Sequence, residues 1–141
     1  VQEDERERSG SGGKRALLNL GHTFAHALEG MAQYKSLKHG QAVSLGIIIA
    51  SRISKQLGHI NNDDSTRIQR LLAKAGLPTS PAQYFADEDA IDAAISFIMR
   101  DKKKHDSRVP LILLKQIGQA YISAPHTKEE IKDMLLHALA E

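Results

Sequence analysis

The sequence predicts a mainly α-helical domain with a small β-hairpin near residues 109–122. Apolar residues recur every three or four positions along most of the chain, which is the spacing of one helix face. Two short apolar runs, at 109–114 and 119–122, interrupt this spacing and flank a turn near Gly118, which is typical of a hairpin. With 141 residues, 41% of them hydrophobic, the chain has the size and apolar content of one globular domain.

The first two helices are predicted from their apolar faces. Residues 1–14 form a charged, Gly- and Ser-rich lead-in, so the helical domain is expected to span residues 15–141. The first helix should begin near Arg15, and the second should span about 40–57 and end at Gly58. The predicted apolar faces are Leu17, Leu20, Phe24, Leu28 and Met31 on the first helix, and Val43, Ile47, Ala50, Ile53 and Leu57 on the second.

The remaining helices are predicted from the residues at their ends. Asp63 or Asp64 is expected to cap the third helix, Gly76 to end it, and Asp87 to open the fourth. A capping-box pattern that starts at Thr127 precedes the last apolar stripe and predicts a final helix there.

Composition excludes several classes of protein. A net charge of +2 without a clustered basic face does not favour nucleic-acid binding, and the lack of cysteine excludes disulfides and thiolate metal sites. The apolar stretches are much shorter than the roughly 20 residues of a membrane span, and the first residues do not resemble a secretory signal. We therefore expect a cytoplasmic protein with no nucleic-acid or membrane partner.

A polar stripe is predicted on the first helix. Arg15, Asn19, His22, His26 and Glu29 step by four, three, four and three residues, so on one continuous helix they share a face opposite the apolar stripe. One explanation is a solvated surface. Such surfaces favour Lys and Glu, however, whereas Arg grips phosphate or carboxylate and His binds metals or transfers protons. The stripe therefore indicates a binding face.

Histidines on this face and beyond it are candidate metal ligands. His22 and His26 are spaced to share one metal ion, but Thr23 replaces the glutamate of the metalloprotease pattern. The spacing alone does not exclude that the two histidines simply face solvent. Gly21 is placed inside the helix, where glycine often marks a close approach of backbone or ligand. His39 is expected just before the second helix, whose positive end favours a neutral, metal-binding imidazole.

Three consecutive lysines, at 102–104, follow the predicted fourth helix. Cations are favourable near a helix C-terminus, which is a purely structural explanation. The same residues are also suited to bind a phosphate or carboxylate group.

Three segments together resemble the signature of 3-dehydroquinate synthases. They are RALLNLGHTFAHALE at 15–29, HGQAVSLG at 39–46, and MRDKK at 99–103 followed by a short strand and an Ile-Gly turn. The acidic opening VQEDERE is also similar to the stretch that precedes the family's Arg-containing helix. The resemblance covers nearly the whole chain, in the family's order and spacing.

This resemblance implies an enzyme of aromatic amino-acid biosynthesis. Such lyases convert 3-deoxy-D-arabino-heptulosonate 7-phosphate to 3-dehydroquinate and release phosphate. They use bound NAD for a transient oxidation, and Zn²⁺, or Co²⁺ in its place, to hold the hydroxyl pair and polarise the carbonyl.

The resemblance also implies roles for single histidines. His22 and His39 correspond to the family's two histidine metal ligands. His26 corresponds to a histidine that contacts substrate near the phosphate, so it would not share the metal with His22.

Three further substrate-binding positions of the family have counterparts in this chain. Arg15 and Asn19 match residues that hold phosphate and carboxylate or hydroxyl groups, and one of Lys102 and Lys103, left unassigned between the two, matches a substrate-binding lysine. The two lysines and His26 are the candidate catalytic residues.

The chain departs from the family pattern in two ways. Gln41 stands where the family usually has Glu, beside a metal ligand, which predicts a role behind that ligand and a modest change in metal affinity. The family's third metal ligand (a glutamate), a catalytic lysine and the NAD-binding α/β domain lie upstream of the segment that begins here. We therefore expect the chain to need an N-terminal NAD-binding domain as its partner, to be inactive alone, and to form a homodimer in the complete enzyme.

Two other functions stay open at this point. A related sugar-phosphate cyclase would share the motif and the metal ligands and differ in its substrate. A non-catalytic dimerisation or regulatory domain would not require the full set of polar residues.

Overall fold

The computed structural model describes residues 20–31, 37–100 and 108–141 and confirms a mainly α-helical fold. The α-helices in these ranges are α1 (His22–Gly30), α2 (His39–Gln56), α3 (Asn62–Lys74), α4 (Glu88–Arg100) and α5 (Lys128–Leu139), with a short 3-10 helix at Pro81–Tyr84. Among the helices described, none is both long and apolar enough to cross a membrane.

The predicted hairpin is present, and a second strand pair accompanies it. Strands β2 (Ile112–Gln116) and β3 (Gln119–Ile122) pair antiparallel across a turn in which Gly118 has φ 87°. Strands β1 (Arg108–Val109) and β4 (His126–Thr127) also pair antiparallel. Sequence analysis did not predict this pair, because two residues are too few to show an alternating pattern.

Helix α2 is the centre of the domain, since α1, α3, α5 and β2 all pack against it. Leu45, Ile49 and Ile53 on α2 are fully buried, and so are Leu28 of α1 and Leu135 of α5. A buried hydroxyl fastens the hairpin to the same helix: Ser54 Oγ accepts a hydrogen bond from the backbone nitrogen of Leu114 at 2.9 Å.

The apolar face predicted for α2 was partly wrong. Ala50 and Ile53 are buried, but Val43 and Ile47 are only half-buried and Leu57 is 44% exposed. A single stripe is what a helix packed on one side requires. Helix α2 instead has neighbours on several sides, so its buried surface is wider and includes Leu45, Ile48 and Ile49.

Gly21 does not lie inside a helix, contrary to the prediction. Its φ is 82°, in the left-handed region that glycine adopts readily, and α1 begins only at His22. The first helix therefore does not run unbroken from Arg15 to Glu29. Arg15, Leu17 and Asn19 lie outside the described residues, while Leu20 is half-buried against the core.

A close backbone contact explains both this glycine and Gly46 of α2. A Cβ atom added to Gly46 would lie 2.0 Å from the carbonyl oxygen of Gly21, and one added to Gly21 would lie 2.6 Å from the backbone nitrogen of Ile47. Real Cβ atoms do not approach backbone so closely. The start of α1 and the middle of α2 can therefore pack together only because both positions are glycine.

Helix ends were predicted correctly where the capping residue is followed by a clear apolar run. The predicted box at Thr127 is present, with Thr127 Oγ1 accepting from the Glu130 nitrogen at 3.2 Å. For α3 the cap is Asn61 rather than Asp63 or Asp64, and Asn61 Oδ1 accepts from the Asp64 nitrogen at 2.8 Å. Several adjacent Asn and Asp residues all have capping side chains, so sequence alone did not select among them.

Arg52 of α2 is 8% exposed and joins three helices. It donates to the carbonyl oxygen of Ala138 near the end of α5, at 3.0 Å, and to Gln69 Oε1 of α3, at 3.3 Å. Burial lowers the pKa of its guanidinium below the usual value. The hydrogen bond satisfies a carbonyl near the α5 C-terminus that has no partner within the helix.

Replacement of Gly46 by alanine should destabilise the 141-residue chain by about 1–3 kcal/mol, because the new methyl group meets backbone that cannot move aside. Gly40→Ala is the matched control on the same helix. Nothing lies within 4 Å of a Cβ added there, so this change should leave stability unaltered or raise it by up to about 1 kcal/mol. Urea unfolding followed by circular dichroism measures both, and equal effects of the two changes would contradict the proposed contact.

Candidate metal and substrate site

Three histidine rings predicted to be functional lie together on α1 and α2. His22 and His26 are one helical turn apart on α1, and their ring centroids are 5.6 Å apart. His39, the first residue of α2, has its ring centroid 5.5 Å from that of His22. The prediction placed His39 just before this helix, one residue from its observed position.

His22 has a buried ring nitrogen. Its Nδ1 atom is buried and has no hydrogen-bond partner within the part of the chain that the structure describes. Leaving a buried polar atom without a partner costs about 1–3 kcal/mol. Such an atom is unusual in a folded protein and indicates a position where binding, rather than stability, explains the residue.

His39 is held from behind by a carboxylate. Its Nδ1 atom lies 2.8 Å from Oε2 of Glu29, across the gap between α1 and α2. A carboxylate accepts hydrogen bonds, so in the neutral ring the hydrogen lies on Nδ1, which leaves the lone pair of Nε2 free to bind a metal ion. Metal-binding histidines commonly have such a carboxylate behind them.

Sequence analysis gave Glu29 a place in the polar stripe but no role of its own. The observed contact spans ten residues and two helices, and no local pattern predicts a contact at that separation. One feature of the sequence did point to Glu29: it follows His26 by three residues, which places both on the same face of the helix.

The ring distances fit a shared metal ion. Zinc binds imidazole nitrogens at about 2.0–2.1 Å, so two imidazoles on a tetrahedral ion have centroids roughly 5 Å apart. His22–His39 and His22–His26 both meet this distance, and the carboxylate behind His39 favours the first pair. Within the described ranges, no group of three His, Cys, Asp or Glu residues could hold a metal ion. Two imidazoles from this chain would therefore need a further ligand.

Gln41 has a different role from the one predicted. Its Oε1 atom accepts a hydrogen bond from the backbone nitrogen of Lys38 at 2.9 Å, at the start of α2. The side chain thus stabilises the helix that begins at His39, and Glu29, not Gln41, holds the imidazole. The described contacts of Gln41 therefore do not support the expected effect on metal affinity.

The predicted substrate-binding residues other than His26 lie outside the described residues. These are Arg15, Asn19, Lys102 and Lys103. Their roles remain predictions from the sequence. His26 itself is exposed beside the His22 ring, which is where a residue that contacts a bound molecule should lie.

A cavity of about 590 Å³ lies elsewhere, between α4 and the start of α5. Its lining includes Asp92, Arg100, Lys128 and Lys132, so charges of both signs face it. Lys132 is already paired with Glu88 and Asp92, at 2.9 and 2.7 Å. His22, His26 and His39 are not among the described residues that line this cavity, and its mixed charges match no single class of ligand.

Comparison with known proteins agrees with the resemblance that the motifs indicated. Residues 1–104 match the family described as 3-dehydroquinate synthase C-terminal. The chain is 43% identical to the 3-dehydroquinate synthase of Nitrobacter winogradskyi, with 100% of this chain and 37% of that protein aligned. It is 39% identical to the enzyme of Acinetobacter baumannii strain AYE, with 96% and 35% aligned.

The fold is similar to that of a solved 2-deoxy-scyllo-inosose synthase in complex with carbaglucose-6-phosphate, NAD⁺ and Co²⁺. The TM-score is 0.62 at 24% identity, with 83% of this chain and 32% of that chain covered. The chain thus spans little more than a third of the length of the curated relatives it matches. By its sequence match and its fold, the chain belongs to the 3-dehydroquinate synthase C-terminal family.

Proposed function

We propose that this chain supplies the metal- and substrate-binding residues of a 3-dehydroquinate synthase. The complete enzyme would convert 3-deoxy-D-arabino-heptulosonate 7-phosphate to 3-dehydroquinate and phosphate, with NAD and a Zn²⁺ or Co²⁺ ion. The observation that carries the proposal is the His22–His39 pair, with Glu29 behind His39, in a chain of this family.

His22 and His39 would hold the metal ion. Two observations support this assignment: Nδ1 of His22 has no hydrogen-bond partner in residues 20–31, 37–100 and 108–141, and His39 contacts Glu29. When bound, the metal ion polarises the substrate oxygen atoms that it contacts, and NAD accepts and returns a hydride. The chain's own residues would orient the substrate around that centre.

His26 would contact the substrate near its phosphate. It lies one turn from His22 and is exposed, so it can donate a hydrogen bond or transfer a proton beside the metal ion. Arg15 and Asn19 would hold phosphate and carboxylate or hydroxyl groups, and Lys102 or Lys103 would add a positive charge to the same anionic substrate.

We further propose that an NAD-binding α/β domain N-terminal to this chain completes the enzyme. The relatives are nearly three times as long as the aligned region, which supports a second domain. It would provide the third metal ligand and the remaining catalytic lysine. The complete enzyme would act in the cytoplasm as a homodimer in the shikimate pathway.

A related sugar-phosphate cyclase is the second candidate function. The observation in its favour is the fold similarity to the 2-deoxy-scyllo-inosose synthase solved with carbaglucose-6-phosphate, NAD⁺ and Co²⁺. Offering the complete enzyme both the heptulosonate phosphate and glucose 6-phosphate separates the two candidate functions, and we expect turnover of the heptulosonate phosphate.

A non-catalytic dimerisation domain is disfavoured, because it would not require three neighbouring histidines.

Replacement of His22 by alanine should weaken Zn²⁺ binding by the complete protein at least about tenfold, because one of few ligands is lost. His59→Ala is a matched control, since His59 is an exposed histidine whose ring lies against Tyr121 instead. Competition with a chromogenic chelator measures both affinities. An unchanged affinity in the His22 variant would remove His22 from the metal site.

The 141-residue chain alone should have no synthase activity. Its reaction would begin with hydride transfer to NAD, and no side chain can replace that cofactor. Losing several groups that act together abolishes turnover rather than reducing it in part. The assay is phosphate release from the heptulosonate phosphate with NAD and Zn²⁺ present.

The control for this assay is the same mixture after addition of the N-terminal domain, which should restore turnover. Phosphate release by the chain alone, with its intact mass equal to the 15.5 kDa of this sequence, would contradict the prediction.

A further inference from the structure

We propose that Glu29 is a positioning residue for the metal site. Its carboxylate holds the His39 ring through Nδ1, so that Nε2 would be the atom that binds the metal ion. The inference rests on the proposed role of His22 and His39 as metal ligands and assigns Glu29 a role behind one of those ligands.

The neighbours of Glu29 in the chain are tightly packed, whereas the His39 ring is little restrained by its surroundings. The His39 side chain is 59% exposed and occupies the first position of α2, so little else restrains its ring. Glu29 is 29% exposed and follows the fully buried Leu28. The next residue, Gly30, packs so closely on α4 that an added Cβ would lie 2.1 Å from the Phe97 ring.

Helix stability does not explain an acidic residue at this position. Glu29 is the last residue but one of α1, where the helix dipole is negative. A carboxylate there interacts unfavourably with the helix dipole. The contact with His39 is the interaction that accounts for the residue.

The contact has two consequences for metal binding. It selects the ring tautomer with hydrogen on Nδ1, and the negative charge makes Nε2 a stronger ligand. It also restricts the rotamers of an exposed side chain before metal binds, which reduces the entropy lost on binding. Both effects raise metal affinity without adding a ligand.

A structural alternative is that Glu29 and His39 only fasten α1 to α2. Pairs of this kind at a protein surface contribute little to stability. The two explanations differ in what they predict, because a fastener changes the stability of the apo protein whereas a positioning residue changes metal affinity. Glu141 is a suitable control, since its side chain is 26% exposed and pairs with Lys55 of α2, remote in sequence.

The test uses the complete, metal-free protein with Co²⁺ as the probe. The variants are Glu29→Ala, Glu29→Gln, Glu141→Ala, His39→Ala and the double variant Glu29→Ala/His39→Ala. Visible absorption with a competing chelator gives the Co²⁺ affinity and reports the ligand environment, and thermal unfolding without metal gives the stability of each variant.

Glu29→Ala should weaken Co²⁺ binding about 10- to 100-fold and change the Co²⁺ spectrum. Glu29→Gln should stay within about fivefold of the wild type, because its amide oxygen still accepts from Nδ1. Glu141→Ala should leave Co²⁺ affinity unchanged, and Glu29→Ala should have no further effect once His39 is alanine.

An unchanged Co²⁺ affinity in Glu29→Ala, with weakened binding in His39→Ala, would overturn this proposal and leave the proposed metal site intact. A Glu29→Ala effect that persists in the His39→Ala background would also overturn it. Unchanged affinity in His39→Ala would instead refute the metal assignment itself, and the role of Glu29 would fall with it.

Discussion

The structure depends on one backbone contact, where Gly21 and Gly46 bring the start of α1 against the middle of α2. No side chain fits at either position. The contact sets the spacing of two helices that carry the histidines of the candidate site on one side and the core residues on the other. His22 follows Gly21 directly, so the beginning of α1 and the position of that imidazole are set by the same constraint. Stability and site geometry are therefore coupled here.

The candidate site combines a buried group, on His22, with an exposed one, His39. His22 brings a buried nitrogen that has no hydrogen-bond partner among the described residues, while His39 is exposed at a helix start and contacts Glu29. Both features are poor choices for a purely structural surface. They are consistent with a metal site whose other ligands come from outside the described residues. The chain spans little more than a third of the length of its relatives.

Local patterns predicted most of the fold. Capping signals and apolar spacing correctly placed the final helix at Thr127, the turn at Gly118 and the end of α2 at Gly58. The errors arose where tertiary packing decides the outcome. Gly21 looked like a helical residue because the apolar spacing continues through it, and the wide buried surface of α2 depends on neighbours far away in sequence. The strand pair β1–β4 joins residues too distant and too few to leave a pattern.

The site shows the same division. His22 and His39 were predicted from motifs and lie together, but the partners of Glu29 and Gln41 were not foreseen, since each depends on a contact visible only in the folded chain.

The central claim, that this packing places two imidazoles on one metal ion, is tested most directly by X-ray absorption spectroscopy at the zinc edge of the zinc-loaded complete protein. We predict two imidazole ligands with Zn–N distances of about 2.0–2.1 Å, one of them lost in His22→Ala and the other in His39→Ala. A zinc environment without imidazole, or one that neither substitution changes, would contradict the account.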